Sequence, residues 1–247
     1  MAKRAAIVTG ASRGIGLALA RLLAEEGYGL TITARRPPSL EQTAYALRER
    51  GFEVEYLAAN MADEESIHAV VALHRERFGR LDVLINNAGV GIGAFAGEHR
   101  TKFVDMQLDV NLRAIVIFYR ECLELLRAAG AEHRNALVVN MASIVGKSPA
   151  PFLSVYAATK AAVIAYTQAM NKELNADGVK SVAFCPGFVD TDMTDFIKEV
   201  IPAQTMLRTS DISEALRFLL RVSPNCVVPE IIFQGPGETI YSGSVQN

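Results

Sequence analysis

An α/β fold is what the sequence predicts, a doubly wound parallel sheet of about seven strands with helices on both faces. Three observations carry this. Short β-rich runs alternate with helical patterns nearly from end to end, the runs are continuously apolar, and the first leads through a glycine-rich turn into a helix. Continuously apolar strands belong to a sheet covered on both faces, and a repeating βαβα rhythm gives the doubly wound arrangement.

Each element has its own signals. Ala5–Thr9 reads as the first strand and Ile15–Glu26 as a helix with Gly27 as its C-cap. Leu30–Ala34 is the second strand, closed off by Pro37 and Pro38, and Leu40–Arg50 is helical with Gly51 behind it. Val54–Leu57 is the third strand. Asp63 stands at an N-cap position, Glu64 and Glu65 suit the positive end of a helix, and Gly79 ends that helix. Val83–Asn86 is the fourth strand, followed by helical patterns over Thr101–Asp109 and Leu112–Ala128. Ala136–Met141 is the fifth strand, Val155–Asn175 a long helix, and Val182–Cys185 the sixth strand. Ile212–Leu220 is a short helix and Ile231–Phe233 the last strand. No linker, low-complexity tract or repeat interrupts the pattern, so residues 1–247 read as one domain.

Bulk properties exclude several function classes. Half of the 247 residues are hydrophobic, 21% are charged, and the net charge is -2. That is an ordinary globular composition with a sizeable core, and it lacks the broad basic field a nucleic-acid binder needs. Lys3 and Arg4 precede only Ala5–Val8 before the turn at Gly10, too short a run for a secretion signal. No apolar stretch approaches a membrane span. Cys122, Cys185 and Cys226 are far apart and lack CxxC spacing, which fits reduced thiols in a cytoplasmic protein. His68, His74, His99 and His133 show no metal spacing, so no metal is expected, and no GxSxG motif supports a hydrolase.

Chemistry enters at Thr9-Gly10-Ala11-Ser12-Arg13-Gly14-Ile15-Gly16. Glycines there let the backbone turn tightly and approach a pyrophosphate, while the helix N-terminus supplies amide donors and partial positive charge. A glycine pattern alone is weak, but this one follows a strand and opens a helix. An NAD-preferring site usually carries an acidic residue at the end of the second strand. Here Ala34 is followed by Arg35 and Arg36, and Arg13 lies in the turn itself. A carboxylate would repel a 2′-phosphate, whereas a guanidinium can hold it. The reading is therefore NADP(H), with Arg36 as a solvated surface charge.

Tyr156 and Lys160 form a YxxxK pair on a helix, which puts both on one face. An ammonium about 4 Å from a phenol, at an effective dielectric of about 20, contributes about 4 kcal/mol, or roughly 3 pKa units. The expectation is thus a phenol lowered toward neutrality and able to exchange a proton. YxxxK is common by chance, and its weight comes from Ser143, just past the fifth strand, and Asn111.

The TGxxxGxG spacing, Asn86-Asn87-Ala88-Gly89 after the fourth strand, Ser143 with Tyr156 and Lys160, and Pro186-Gly187 after the sixth strand together resemble the short-chain dehydrogenase/reductase family. The resemblance covers nearly the whole chain and implies a Rossmann fold and a carbonyl reductase. It implies Tyr156 as proton donor, Lys160 as its partner and a ribose ligand, Ser143 on the substrate oxygen, and Asn111 anchoring a water relay. For the cofactor it implies Gly10, Ser12, Arg13, Gly14, Ile15, Gly16, Arg35, Asn60, Met61, Asn87, Ala88, Gly89, Pro186, Gly187, Val189 and Thr191, besides Tyr156 and Lys160. Asn60 stands where the family often has Asp at the adenine, and its amide oxygen can still accept a hydrogen bond.

Residues 188–210 fall where relatives carry a substrate lid. Phe188, Met193, Phe196, Ile197, Ile201, Met206 and Leu207 make that segment apolar, so the substrate is expected to be a small carbonyl or alcohol with an apolar part. Gly91, Gly93 and Gly97 read as a mobile rim of the site rather than a second nucleotide loop. Two rival functions stay open. One is reduction of 3-oxoacyl groups on an acyl carrier protein or coenzyme A, with Arg127, Arg134 and Lys172 as docking residues. Against an ordinary member of that group, the end reads Ile231-Ile232-Phe233-Gln234-Gly235-Pro236-Gly237 rather than a DGG segment. The other is a non-catalytic NADP-binding sensor on the same fold. The family resemblance also suggests a homotetramer joined through Leu112–Ala128 and Val155–Asn175, with a dimer as the alternative.

Overall fold

A computed structural model describes residues 4–236; Lys3 and Gly237 lie outside the described residues. The chain runs β1 (Arg4–Thr9), α1 (Gly14–Glu25), β2 (Tyr28–Ala34), α2 (Pro37–Glu49), β3 (Val54–Ala58), α3 (Glu64–Phe78) and β4 (Val83–Asn86). It continues through α4 (Thr101–Leu108), α5 (Ala114–His133), β5 (Ala136–Met141), α6 (Ser154–Leu174), β6 (Val179–Pro186), α7 (Thr209–Arg221) and β7 (Glu230–Phe233). The seven strands form one sheet in the order β3-β2-β1-β4-β5-β6-β7, every pair parallel.

Side chains alternate across each strand, and both sets are mostly apolar; in β2 the second set is the buried Thr31 and Thr33. Ala6 and Val8 of β1, Leu30 and Ile32 of β2, and Val182 and Phe184 of β6 point into a core shared with Leu19 and Leu23 of α1, Leu40 of α2 and Leu216 of α7. Ile7, Leu84, Val138 and Cys185 point the other way, onto Ile67 of α3, Phe118 and Cys122 of α5, and Val163 of α6. Burial on both faces is why most of the strands carry no polar alternation. Asp63 caps α3 by accepting from the Ser66 amide, and Gly79 ends it in the left-handed conformation, as the sequence implied.

Strand β6 and helix α7 each begin three residues earlier than the sequence reading, at Val179 and Thr209, and three further differences have a visible cause. Pro37 and Pro38 open α2 rather than only closing β2, because proline fits the first helical turn, where its missing N–H is not needed. The patterns read as two helices around residue 110 are joined. The Ala114 amide reaches back five residues to the Asp109 carbonyl, making a π-helical turn over Asp109–Arg113 between α4 and α5. Helix α5 also runs on to His133 through Gly130, where a Cβ would strike the Asp177 carbonyl on the neighbouring turn.

The sheet order reverses between β1 and β4. In an open α/β sheet, that switch point at the carboxyl ends of the strands opens a crevice.

Candidate active site

The crevice is built where β1 and β4 part. The Thr9 hydroxyl accepts from the Asn87 and Ala88 amides, both at 2.9 Å. The Asn87 side-chain amide donates to the carbonyls of Thr9 (3.0 Å) and Gly10 (3.2 Å). Asn87, expected from the sequence only as a cofactor residue, thereby clamps the glycine turn to the end of β4. The clamp leaves no room for side chains. A Cβ on Gly16 would collide with the Gly10 carbonyl, and one on Gly10 would lie 2.8 Å from the Asn87 amide nitrogen.

Helix α1 begins at Gly14 with no side-chain cap and no acidic residue in its first turn. Its free amides and partial positive charge face the crevice, which is the chemistry a pyrophosphate requires. Thr191 packs against this turn, its methyl 3.2 Å from where a Gly14 Cβ would stand. Ser12 and Ile15 complete the turn.

The other cofactor candidates follow in sheet order along the carboxyl edge. Asn60 and Met61 lie beyond β3, Arg35 just beyond β2, the glycine turn beyond β1, Ala88 and Gly89 beyond β4, Ser143 beyond β5, and Pro186, Gly187 and Val189 at and beyond the end of β6. From β3 to β6 this edge spans five strand spacings of about 4.8 Å, about 24 Å in all. These residues fit an extended dinucleotide. Arg35 and Arg36 are both exposed, and Asn60 turns its side-chain oxygen to the Ala62 amide at 3.3 Å. Arg13 is not a free cation. Its guanidinium pairs with Asp192 at 2.6 Å, tying the glycine turn to the segment after β6.

Ser143, Tyr156, Lys160 and Asn111 converge at the same edge. Ser143 is buried, and its hydroxyl lies 3.4 Å from the Pro186 carbonyl, joining the ends of β5 and β6. Tyr156 lies on the first turn of α6, its ring 3.6 Å from where a Gly91 Cβ would stand. Lys160, one turn on, is 3% exposed, and its ammonium donates to the Met141 carbonyl at 2.6 Å. The π-helical turn aims Asn111 inward, as such turns often do at functional sites. Its oxygen accepts from the Val90 amide (2.8 Å), and its nitrogen donates to the Val90 carbonyl (2.9 Å) and to the Thr159 hydroxyl (3.1 Å). Asn111 thus fixes the chain after β4 to α6 beside Lys160.

The protonation states differ from the expectation of a lowered phenol. Burial raises the Tyr156 pKa above its ordinary value, and a hydrogen bond with Ser143 opposes this only in part. The reason is geometric: the Lys160 ammonium sits 5.6 Å from the Tyr156 ring centre and is committed to Met141. Burial instead pushes Lys160 down to about 8. The arrangement is a phenol that keeps its proton at neutral pH beside an amine that can gain or lose one.

Beyond β6 the chain forms a flap closed at its base. Asp190 N–H donates to the Leu207 carbonyl and Leu207 N–H to the Phe188 carbonyl, both at 2.9 Å. Val189 and Met206 are buried in that base, whereas Met193 and Phe196 are 53% and 75% exposed. The apolar content of this segment therefore divides between packing and a free apolar surface. His74 is structural: it bridges the Thr31 hydroxyl and the Arg80 carbonyl, each at 2.8 Å. Arg127 is tied to Asp177 at 2.7 Å.

Known proteins match this architecture. The profile of the short chain dehydrogenase family fits residues 4–201. The chain is 31% identical over 225 residues to a 3-oxoacyl-acyl-carrier-protein reductase of Staphylococcus aureus, covering 87% of this chain and 90% of that one. Among solved structures it resembles an alcohol dehydrogenase from the archaeon Thermococcus sibiricus complexed with 5-hydroxy-NADP. There the TM-score is 0.85 and the identity 32%, over 96% of this chain and 98% of that one. It also resembles a variant of the actinorhodin polyketide ketoreductase with NADPH, at a TM-score of 0.84 and 29% identity over 94% and 97% of the two chains.

Proposed function

The chain belongs to the short chain dehydrogenase family and is an oxidoreductase of C=O and CH–OH groups; we propose that it reduces a ketone or aldehyde with NADPH, using Tyr156 as proton donor. The observation that carries this is the convergence of Ser143, Tyr156, Lys160 and Asn111 on the carboxyl edge that also bears the uncapped helix N-terminus.

Bound NADPH would supply the hydride to the carbonyl carbon. Gly10–Gly16 and Asn87–Gly89 would hold the pyrophosphate side, with Pro186, Gly187, Val189 and Thr191 closing over it. Arg35 and Arg13 would take the 2′-phosphate, and Asn60 and Met61 the adenine. Ser143 holds the substrate oxygen as negative charge develops there. Tyr156 donates its proton to that oxygen; its raised pKa keeps the proton available at neutral pH. Lys160, brought close to neutrality by burial, returns a proton toward Tyr156. Asn111 holds the loop and helix that position Lys160. Run backward, the same groups oxidise an alcohol.

The flap over residues 188–210 serves as the substrate lid, a reading supported by its pinned base and exposed apolar tip. The single domain works as a homotetramer in the cytoplasm. Exposed Val116 on α5 and exposed Ala158, Ala165 and Ala169 on α6 suit pairing of these helices with their copies. The free thiols Cys122, Cys185 and Cys226 suit a reducing compartment. A second reading, reduction of 3-oxoacyl thioesters, is favoured by the name of the Staphylococcus aureus relative.

The test follows NADPH absorbance with an acetoacetyl thioester, a linear ketone, a cyclic ketone and a quinone, beside NADH and Arg35→Ala. NADPH-dependent consumption that Arg35→Ala weakens about tenfold or more, with NADH use unchanged, is expected from a lost charged hydrogen bond. Tight NADPH binding without consumption would favour a sensor. Equal use of NADH would overturn the role of Arg35.

A further inference from the structure

Resting on the carbonyl-reductase reading, we propose that Phe152 and Phe95 form an aromatic clamp beside Tyr156, and that the substrate carries a planar ring next to its carbonyl.

Phe152 adopts φ +69°, the left-handed region. That region is rare for a bulky residue, and such strain concentrates at sites where the surroundings impose it. Arg134, the other non-glycine residue with positive φ among those described, merely caps α5. At Phe152 the cause is visible. Its carbonyl accepts from the Ala94 amide at 2.8 Å, and its ring occupies the place where a Gly93 Cβ would stand. The loop after β4 therefore lays Gly91 on the Tyr156 ring and Gly93 on the Phe152 ring. Two residues of extended chain span at most about 7 Å, so the Phe152 ring lies within reach of a substituent on a carbonyl held by Tyr156. Gly91 and Gly93, read from the sequence as part of a mobile rim, bring the backbone flush against two rings, whereas Gly97 has nothing against it.

Phe95 closes the clamp, its ring centre 5.3 Å from that of Phe152 and tilted by 60°. The rings remain 61% and 49% exposed, so their outer surfaces are open to a ligand. Beside Phe152 is a cavity of 240 Å³ whose apolar side is Ile92, Phe103 and Phe152 and whose polar side is Glu98, His99, Arg100 and Gln107. A cavity of about 150 Å³ is large enough for benzene, so by size this space admits a ring and a substituent against its apolar side. The polar side chains have partners within the wall: the Gln107 oxygen accepts from the Ile92 amide and its nitrogen donates to the Phe103 carbonyl, Glu98 accepts from the Phe95 amide, His99 bonds the Ser154 hydroxyl, and Arg100 lies over the Phe103 ring. Edge-to-face and offset contacts with two phenyl groups favour a flat ring over a flexible chain of equal size.

The experiment compares kcat/KM for α-tetralone with that for a linear methyl ketone of the same carbon number, in the wild type, Phe95→Leu, Phe152→Leu and Phe152→Gly. The wild type should prefer the ring by about tenfold, and each leucine variant should reduce that preference roughly three- to tenfold. Phe152→Gly should lose the preference without a lower melting temperature, since glycine relieves the backbone strain. Phe95 is exposed, so its variant tests the clamp free of folding defects. A wild type that prefers the linear ketone, or variants that slow both ketones alike, overturns the clamp and leaves carbonyl reduction standing. Melting shifts give a readout independent of turnover. A shift with α-tetralone that Phe95→Leu removes, without NADPH oxidation by any ketone, would retain the ring site and overturn the reductase reading.

Discussion

Replacing Lys160 by methionine should stabilise the protein while disabling it. The lysine is 3% exposed, and burial brings its pKa from 10.5 to about 8. A drop of about 2.5 units corresponds to about 3 kcal/mol, which the buried charge costs the folded state. Between about pH 8 and 10.5 the unfolded chain holds the proton that the folded chain has lost. Stability therefore falls as pH drops through that window, and the full cost is present at neutral pH. Methionine removes the charge but also the hydrogen bond to the Met141 carbonyl, worth about 2 kcal/mol while the amine is charged and about 1 kcal/mol once it is neutral. The net gain at pH 7 is about 1 kcal/mol, or roughly 2–4 °C in melting temperature for a chain of this size. Near pH 10 it should shrink to about zero. Thermal melts of both proteins at pH 7 and pH 10, with NADPH oxidation measured alongside, provide the assay. A variant no more stable at pH 7, or equally advantaged at pH 10, would refute burial as the origin of the lysine's shift.

Two further outcomes follow from contacts elsewhere. Asp192 competes with any phosphate for Arg13, and both side chains are 61% exposed. Asp192→Asn should therefore change folding stability by less than about 1 kcal/mol but lower the KM for NADPH several-fold; a similar gain with NADH would contradict competition at Arg13. His74 is held neutral by burial, which lowers its pKa from 6.5 to about 4. Unfolding lets it take up a proton, so this contribution is intact above pH 6.5 and declines by up to about 3 kcal/mol as pH falls to 4. Urea unfolding across that range should show a steeper loss for the wild type than for His74→Gln.

Much of the fold was legible because its signals are local. Apolar runs and caps such as Asp63 and Gly79 act within a few residues, and the glycine turn, Ser143 and the YxxxK pair sit at strand ends or on one helix face. What escaped depends on distant partners. The π-helical turn at Asp109–Arg113 joins two helical patterns and is held by Asn111 gripping Val90 and Thr159. Helix α5 runs past Ala128, where the sequence reading ends it, and at Gly130 it packs closely against the turn at Asp177. The Arg13–Asp192 pair joins residues far apart in the chain, and the role of Phe152 depends on its backbone angle and on Gly93. The lowered tyrosine failed because spacing puts Lys160 on the right face but does not say that its ammonium bonds Met141.

Single-turnover oxidation of NADPH by Tyr156→Phe, preloaded with cofactor and mixed with a reducible ketone, tests the central claim most directly. Proton donation by a positioned side chain is worth about 10²–10⁴ in rate. The account predicts NADPH affinity close to wild type with oxidation slowed by at least about a hundredfold. Oxidation within a few-fold of wild type would show that Tyr156 is not the proton donor.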